Sequence, residues 1–148
     1  MEIILHCSDS TFGNAALITT WHIKRGFDNI GYHKVVLNGY ITQYIYNSIN
    51  DGRIETGRYY GIINNKFIVQ EGAHTLGHNS NIGICLIGKG SYTSNQINSL
   101  ITDIKQIIFE SNYTITAIKQ HSDYSKEKPF CAGLKPDFMK ILNSFLLK

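Results

Sequence analysis

Two short, uninterrupted runs of apolar residues constrain the fold of this chain most strongly. Residues 3–7 read Ile-Ile-Leu-His-Cys, and residues 82–88 read Ile-Gly-Ile-Cys-Leu-Ile-Gly. Runs of this length that do not alternate with polar residues are typical of strands buried on both faces of a sheet. The sequence therefore predicts a central sheet that helices cover on its faces.

Three segments between and after these runs have the spacing of helices. Apolar residues recur with helical periodicity over 14–25, and Gly26 provides a stop signal. A second helix is expected to begin after Thr93 or Ser94, because either side chain can cap a helix N-terminus. A last helix is predicted over about 136–147, and a strand is predicted over 115–119.

An Asn-Gly pair at 38–39 predicts a hairpin between strands at 32–37 and 40–46. A hairpin needs antiparallel neighbours, whereas strands that alternate with helices favour parallel ones. We therefore expect an α/β fold with a mixed central β-sheet flanked by helices. The 148 residues match a common domain size, which predicts a single domain over 1–148.

Composition and charge exclude several classes of protein. Apolar residues make up 43% and charged residues 17% of the chain, which supports a packed core and argues against disorder. The net charge is +3 without a basic run, so no nucleic-acid partner is expected. No run approaches the roughly 18 to 20 apolar residues of a membrane span. The first residues lack the pattern of a secretory signal, which predicts synthesis in a host cytoplasm.

Three residues with the chemistry of metal ligands follow or end predicted strands. His6 and His121 lie at the C-terminal ends of two strands, and Cys131 follows His121 across a short loop. Carboxyl ends of strands in α/β sheets gather ligands from distant parts of a chain. Two imidazoles and one thiolate, with an open fourth position, would suit catalytic zinc. The spacing alone leaves open that each histidine is an ordinary surface or hydrogen-bonded residue.

The cysteine count points to a reduced chain. Cys7, Cys85 and Cys131 are odd in number, far apart and not arranged as Cys-x-x-Cys, so a disulfide framework is not expected. Cys7 and Cys85 lie in apolar strands and are predicted to be small buried hydrophobic residues. Cys131 is then free to bind a metal.

Six segments occur together in an order that is specific to one family. They are residues 4–8, 21–33, 51–58, 72–79, 82–88 and 121–131, which include Leu-His-Cys-Ser, Gly-Tyr-His and His-Ser-Asp. In this order the sequence resembles the zinc-dependent N-acetylmuramoyl-L-alanine amidases, specifically the T7-lysozyme type, which is related to the peptidoglycan recognition proteins. The resemblance covers essentially the whole chain, and it implies the fold of that family.

The resemblance implies a metal site and two catalytic residues. His6, His121 and Cys131 match the three ligands of one Zn²⁺ ion per chain, and Tyr32 matches the active-site tyrosine. Phage-type members often carry Lys-x-Cys-Pro, whereas this chain reads Lys-Glu-Lys-Pro-Phe-Cys at 126–131. The resemblance therefore favours Lys128 as the catalytic lysine and leaves Lys126 as the alternative.

The resemblance also implies residues that hold the substrate, which are His33, His74 and Asn79. The connections over 38–49 and 59–70 are longer than in the compact phage enzyme and contain the tyrosines Tyr40, Tyr44, Tyr46, Tyr59 and Tyr60. These tyrosines are either surface aromatics of a hairpin or an added wall of the substrate groove. The sequence leaves both interpretations open.

The function implied by the resemblance is hydrolysis of the amide between N-acetylmuramic acid and L-alanine, using zinc-activated water. The expected protein is a monomeric phage or prophage endolysin that acts on bacterial peptidoglycan after release. The alternatives are a secreted antibacterial amidase and a non-catalytic peptidoglycan receptor, which would be expected to lose a zinc ligand. Some T7-type amidases also bind a phage RNA polymerase, but no residue of this sequence indicates such an interface.

Overall fold

The computed structural model describes residues 1–147. Strands and helices follow the order β1 (Glu2–Cys7), α1 (Ala15–Lys24), β2 (Lys34–Tyr40), β3 (Tyr46–Thr56), β4 (Tyr60–Ile63), β5 (Lys66–Val69), β6 (Ile82–Leu86), α2 (Ser94–Glu110), β7 (Ala117–Gln120) and α3 (Pro136–Ser144). A short 3-10 helix, His121–Asp123, follows β7 directly.

The main sheet has five strands in the order β3-β2-β6-β1-β7. Strand β1 pairs in parallel with β6 and β7, and β2 pairs in parallel with β6 and antiparallel with β3. The sheet is therefore mixed, as the sequence predicts. Its two parallel central strands are the two apolar runs, and Ile3, Leu5 and Ile84 are completely buried.

Helices cover both faces of this sheet. Alternate residues of the central strands point to opposite faces, so Ile84 packs in the cluster that includes residues of α2 and α3, whereas Cys85 packs with Ile18 of α1. Burial on both faces explains why these strands carry no polar alternation. Cys85 is fully buried, as predicted, whereas Cys7, for which burial was also predicted, is only partly buried because it lies at the open end of β1.

The predicted helix starts agree with the structure. The Asn14 side chain accepts a hydrogen bond from the Leu17 N–H at 2.9 Å and caps α1. Thr93 caps α2 in a reciprocal arrangement, in which the Thr93 hydroxyl accepts from the Gln96 N–H and the Gln96 side chain accepts from the Thr93 N–H. Helix α3 ends at Ser144, earlier than predicted, and β7 begins two residues later than predicted.

The predicted turn at Asn38-Gly39 is wrong, although the hairpin itself exists. Both residues lie inside β2, and the chain reverses over 41–45 before β3 begins at Tyr46. The pairing of β2 with β3 shifts register on either side of Asn38, whose side chain donates to the Thr11 carbonyl. Gly39 has a φ of +92°, and a Cβ there would lie 2.2 Å from the Tyr46 ring. The pair therefore serves a bulged strand rather than a two-residue turn.

The tyrosine-rich connections form two different structures. Residues 60–69 form a separate two-stranded hairpin, β4 and β5, in which Tyr60 packs on Phe67 at a ring distance of 5.8 Å and against the main core. The tip of the β2–β3 hairpin instead exposes its aromatic residues, with Tyr44 83% exposed. Across residues 1–147, no helix is long and apolar enough to cross a membrane.

Candidate metal centre and active site

The pairing of β1 with β7 brings two histidines together at one edge of the sheet. Leu5 of β1 lies opposite Gln120, the last residue of β7, in a parallel register. His6, the next residue of β1, therefore meets His121, the first residue after β7. Their ring centroids are 4.7 Å apart. The sheet topology therefore brings two of the candidate metal-binding residues together at strand ends, as predicted.

Cys131 completes the cluster because its loop is fixed to neighbouring segments. Its carbonyl accepts the Ser122 N–H at 2.6 Å, and its N–H donates to the Lys128 carbonyl at 3.2 Å. The ligand atoms of His6, His121 and Cys131 all lie within 4.8 Å of one another. The structure thus brings together the three residues that the sequence singled out as metal ligands.

One backbone hydrogen bond at Cys131 would support a thiolate there. Its sulfur accepts the Cys7 N–H at 3.2 Å, which stabilises a charged sulfur. In the metal-free chain the Cys7 thiol and burial raise the pKa of Cys131, whereas the same contact lowers the pKa of Cys7 to about 7. A coordinating cation would reverse this order, because metal binding deprotonates a thiol outright.

One buried atom of His6 lacks a partner, and it fits a metal ion. Nδ1 of His6 is buried without a hydrogen bond, whereas Nε2 lies 3.1 Å from Nδ1 of His74. Burial lowers the pKa of His6 well below its ordinary value, so the ring is neutral at physiological pH. A neutral imidazole nitrogen beside a second histidine and a thiol is a donor set that suits zinc.

A cleft of about 440 Å³ is lined by His121 and Cys131, and His6 lies buried behind them. Its walls include Tyr32, His74 and Lys128 from the predicted set. They also include five residues that sequence reasoning missed: Arg25, Phe27, Lys89, Glu127 and Phe130. Residues of these types are common on protein surfaces, so nothing in the sequence identified them as part of the site. Phe130 is 83% exposed in the free protein. An exposed aromatic ring beside a cleft is a typical ligand contact.

The cleft continues into a second cavity of about 570 Å³ beside α1. The two cavities share Ser8, Asp9, Arg25 and Lys89 as lining residues. None of Tyr40, Tyr44, Tyr46, Tyr59 and Tyr60 lines either cavity. The tyrosine-rich connections therefore do not line these two cavities.

Tyr32 lies next to the cluster. Its ring centroid is 5.0 Å from that of His6, and it lines the cleft. Burial, followed by the neighbouring thiols, raises the pKa of Tyr32 well above its ordinary value. The hydroxyl is consequently protonated at neutral pH and can donate a hydrogen bond.

The two candidate lysines occupy different positions. Lys128 lines the cleft, whereas Lys126 does not. The Lys128 backbone is held at both sides, since its N–H donates to the Ser125 carbonyl and its carbonyl accepts from Cys131. Burial, followed by the positive charge of Lys128, lowers the pKa of His121. The geometry therefore favours Lys128.

The three residues predicted to hold substrate have different surroundings. His74 lines the cleft, but His33 is completely buried, with Nδ1 accepting from the Gly83 N–H and Nε2 donating to the Gln70 carbonyl. The Asn79 side chain accepts from the His74 N–H at 3.1 Å and from the Thr75 N–H at 2.9 Å. In this structure His33 and Asn79 hold the chain around the site, and neither lines the cleft.

The buried histidines predict acid sensitivity of the metal-free protein. Burial lowers the pKa values of His6 and His33, and it lowers that of His74 to about 4. Below the unfolded value of about 6.5 the unfolded chain binds protons that the folded chain excludes, so stability falls as pH falls. Each such histidine contributes a slope of up to about 1.4 kcal/mol per pH unit.

Urea unfolding of chelator-treated protein at about pH 7.5 and about pH 5.5 measures this effect above the range in which most carboxylates titrate. The free energy of unfolding should be lower at the acid pH, with an unchanged dependence on urea. A free energy that is constant or larger at the acid pH would show that these histidines are protonated in the fold.

Comparisons with known proteins agree with this architecture. No family model matches the chain. The chain is 26% identical to the endolysin of Enterobacteria phage T3 over 131 residues, which cover 82% of this chain and 74% of that protein. The solved structure of the N-acetylmuramoyl-L-alanine amidase LysC from Clostridium intestinale URNW shares 25% identity and a TM-score of 0.72, over 99% of this chain and 85% of that one.

A likeness of fold extends to the peptidoglycan recognition proteins. A chain of the complex between tracheal cytotoxin and the ectodomains of the recognition proteins LCa and LCx superimposes with a TM-score of 0.68. It shares 20% identity with this chain, and the superposition covers 95% of this chain and 79% of that one.

Proposed function

We propose that this chain, whose resemblance to the T7-lysozyme-type amidases is confirmed by its relatives and its fold, is a phage endolysin that hydrolyses peptidoglycan. The bond cleaved is the amide between N-acetylmuramic acid and L-alanine. The observation that carries the proposal is the cluster of His6, His121 and Cys131, of which His121 and Cys131 line an open cleft. Similarity to a phage endolysin and to an amidase of known structure supports it.

The proposed cofactor is one zinc ion held by His6, His121 and Cys131. When bound, it would supply a water whose pKa is lowered to about 7 and a positive centre for the substrate carbonyl. The protein contributes the neutral ring of His6, a sulfur that accepts the Cys7 N–H, and an open cleft lined by His121 and Cys131.

Two side chains of the cleft wall would assist hydrolysis in this proposal. Attack on an amide places negative charge on the carbonyl oxygen, and the Lys128 ammonium in the cleft would stabilise that charge. The protonated Tyr32 hydroxyl would orient the attacking water or donate a proton. Arg25 and Lys89 add positive charge along the groove, which complements the carboxylates of a peptide stem.

The receptor alternative is less well supported. A non-catalytic binder would be expected to lack a metal ligand, whereas all three candidate ligands are present and assembled here. A secreted antibacterial amidase would use the same chemistry, but the similarity to a phage T3 endolysin favours the phage role. The proposed protein is a monomer with one domain over 1–148 that acts on the bacterial cell wall.

Digestion of purified peptidoglycan tests the proposed function. Mass spectrometry should identify free stem peptides that begin with L-alanine, together with glycan strands that retain intact N-acetylmuramic acid. Cleavage between sugars or inside the stem would contradict the proposal. Retention of stem peptides on the protein without any cleavage would support the receptor.

Replacing Tyr32 by phenylalanine separates catalysis from packing. If the hydroxyl assists proton transfer, Tyr32→Phe should lower kcat by about 10²-fold, the smaller end of acid–base contributions, and keep the metal and the fold. Metal analysis, thermal unfolding and turnover of one preparation measure all three. Unchanged turnover at normal metal content would make Tyr32 a packing residue.

A further inference from the structure

We infer that His74 is a positioning residue that holds the proton of His6 on Nε2 and thereby keeps Nδ1 of His6 free for the metal. This inference rests on the proposed metal site. It gives His74 a role different from the substrate contact that the family resemblance implies. The argument follows a chain of hydrogen bonds that begins at the backbone carbonyl of Asn81.

The Asn81 carbonyl fixes the proton of His74. Nε2 of His74 lies 3.0 Å from this oxygen, and a carbonyl oxygen can only accept. Nε2 of His74 must therefore carry the proton. No carboxylate described within residues 1–147 hydrogen-bonds to this ring, and the residue is 8% exposed, so the neutral form is favoured. Nδ1 of His74 is consequently an acceptor.

The acceptor on His74 fixes the proton of His6. Nε2 of His6 lies 3.1 Å from Nδ1 of His74, and two lone pairs facing each other at this distance would repel. The Thr75 hydroxyl oxygen lies 3.4 Å from Nε2 of His6 and can accept from a proton there as well. With its proton on Nδ1 instead, His6 would bury a donor that has no partner. Both considerations place the proton on Nε2.

The fold holds the His74 ring rigidly in this place. The Asn79 side chain accepts from the backbone N–H groups of His74 and Thr75 and fixes the loop. The ring packs directly on β6, because a Cβ at Gly83 would lie 2.8 Å from Cγ of His74. The rings of His6 and His74 meet edge to face, with centroids 5.1 Å apart and an interplanar angle of 88°. The orientation of the His6 ring is therefore set before any metal binds.

A matched pair of substitutions tests the inference. Asparagine at position 74 places an amide oxygen near the position of Nδ1 and keeps the acceptor, whereas glutamine places an amide nitrogen near Nε2 and loses it. We expect His74→Gln to weaken zinc binding by about 10- to 100-fold, the usual effect of removing such a partner, and His74→Asn to weaken it only a few-fold. Competition with a chromophoric chelator measures zinc affinity without reference to activity.

Nitrogen NMR of histidine-labelled protein reads the proton positions directly. In metal-free wild type we expect His6 to carry its proton on Nε2 with Nδ1 unprotonated. A proton on Nδ1, equal zinc affinity of the folded Gln variant and wild type, or an equal loss in both variants would overturn the inference. Wild type that binds zinc and does not cleave peptidoglycan would contradict the proposed function, and the effect of His74 would still be measured.

Discussion

Replacing Cys131 by alanine is expected to remove both the metal and the activity. The purified wild type should contain about one zinc per chain, whereas Cys131→Ala should contain almost none, because one of three ligands and the only thiolate among them is lost. Hydrolysis should fall by at least about 10³-fold, since a metal contributes several kcal/mol and each 1.4 kcal/mol is a factor of ten.

The chain provides a matched control in Cys85. This cysteine of β6 is fully buried and packs towards α1. It lies outside the cleft and the metal cluster. Cys85→Ala should retain zinc and turnover and lose only a modest amount of stability. Elemental analysis and turnover of both variants decide the question. A Cys131 variant that keeps a full zinc content and activity would contradict the proposed ligand set.

Removing the Lys128 ammonium is expected to have the second largest effect. Lys128→Ala should lower kcat by about 10²- to 10³-fold with little change in KM or zinc content, because the charge acts mainly on the oxyanion of the transition state. Lys126→Ala is the matched control, since it lies in the same loop but does not line the cleft. Steady-state kinetics on a soluble muropeptide measure both variants.

The relative kcat values of the two lysine variants decide which lysine is catalytic. A large loss in the Lys126 variant and none in the Lys128 variant would move the catalytic role to Lys126. Normal kcat in both variants would remove a lysine from the mechanism altogether.

The sequence predicted the central sheet from local patterns, whereas the resemblance to the amidases singled out the three candidate metal ligands. The apolar runs at 3–7 and 82–88 are short and lack polar alternation, which is typical of buried strands. The parallel pairing of β1 with β7 then places His6 beside His121. Capping residues such as Thr93 act within one turn of helix, so their signals are also local.

Features that depend on distant contacts were not predictable in this way. Asn38-Gly39 is a typical turn sequence, but the Asn38 side chain donates a hydrogen bond to the distant Thr11 carbonyl. Gly39 leaves room for the Tyr46 ring. The surroundings of His33 and Asn79 likewise depend on segments far along the chain. The His33 ring bonds to the backbone of Gly83 and Gln70, and the Asn79 side chain bonds to the backbone of 74–75.

Hydrolysis of a defined N-acetylmuramoyl peptide in water enriched in oxygen-18 tests the central claim most directly. The account predicts one heavy oxygen in the lactyl carboxylate of N-acetylmuramic acid and an unlabelled peptide with a free L-alanine amino group. This labelling should disappear after zinc is chelated and return when zinc is restored. Label in a sugar hydroxyl or inside the stem peptide, or full cleavage by metal-free protein, would contradict the account.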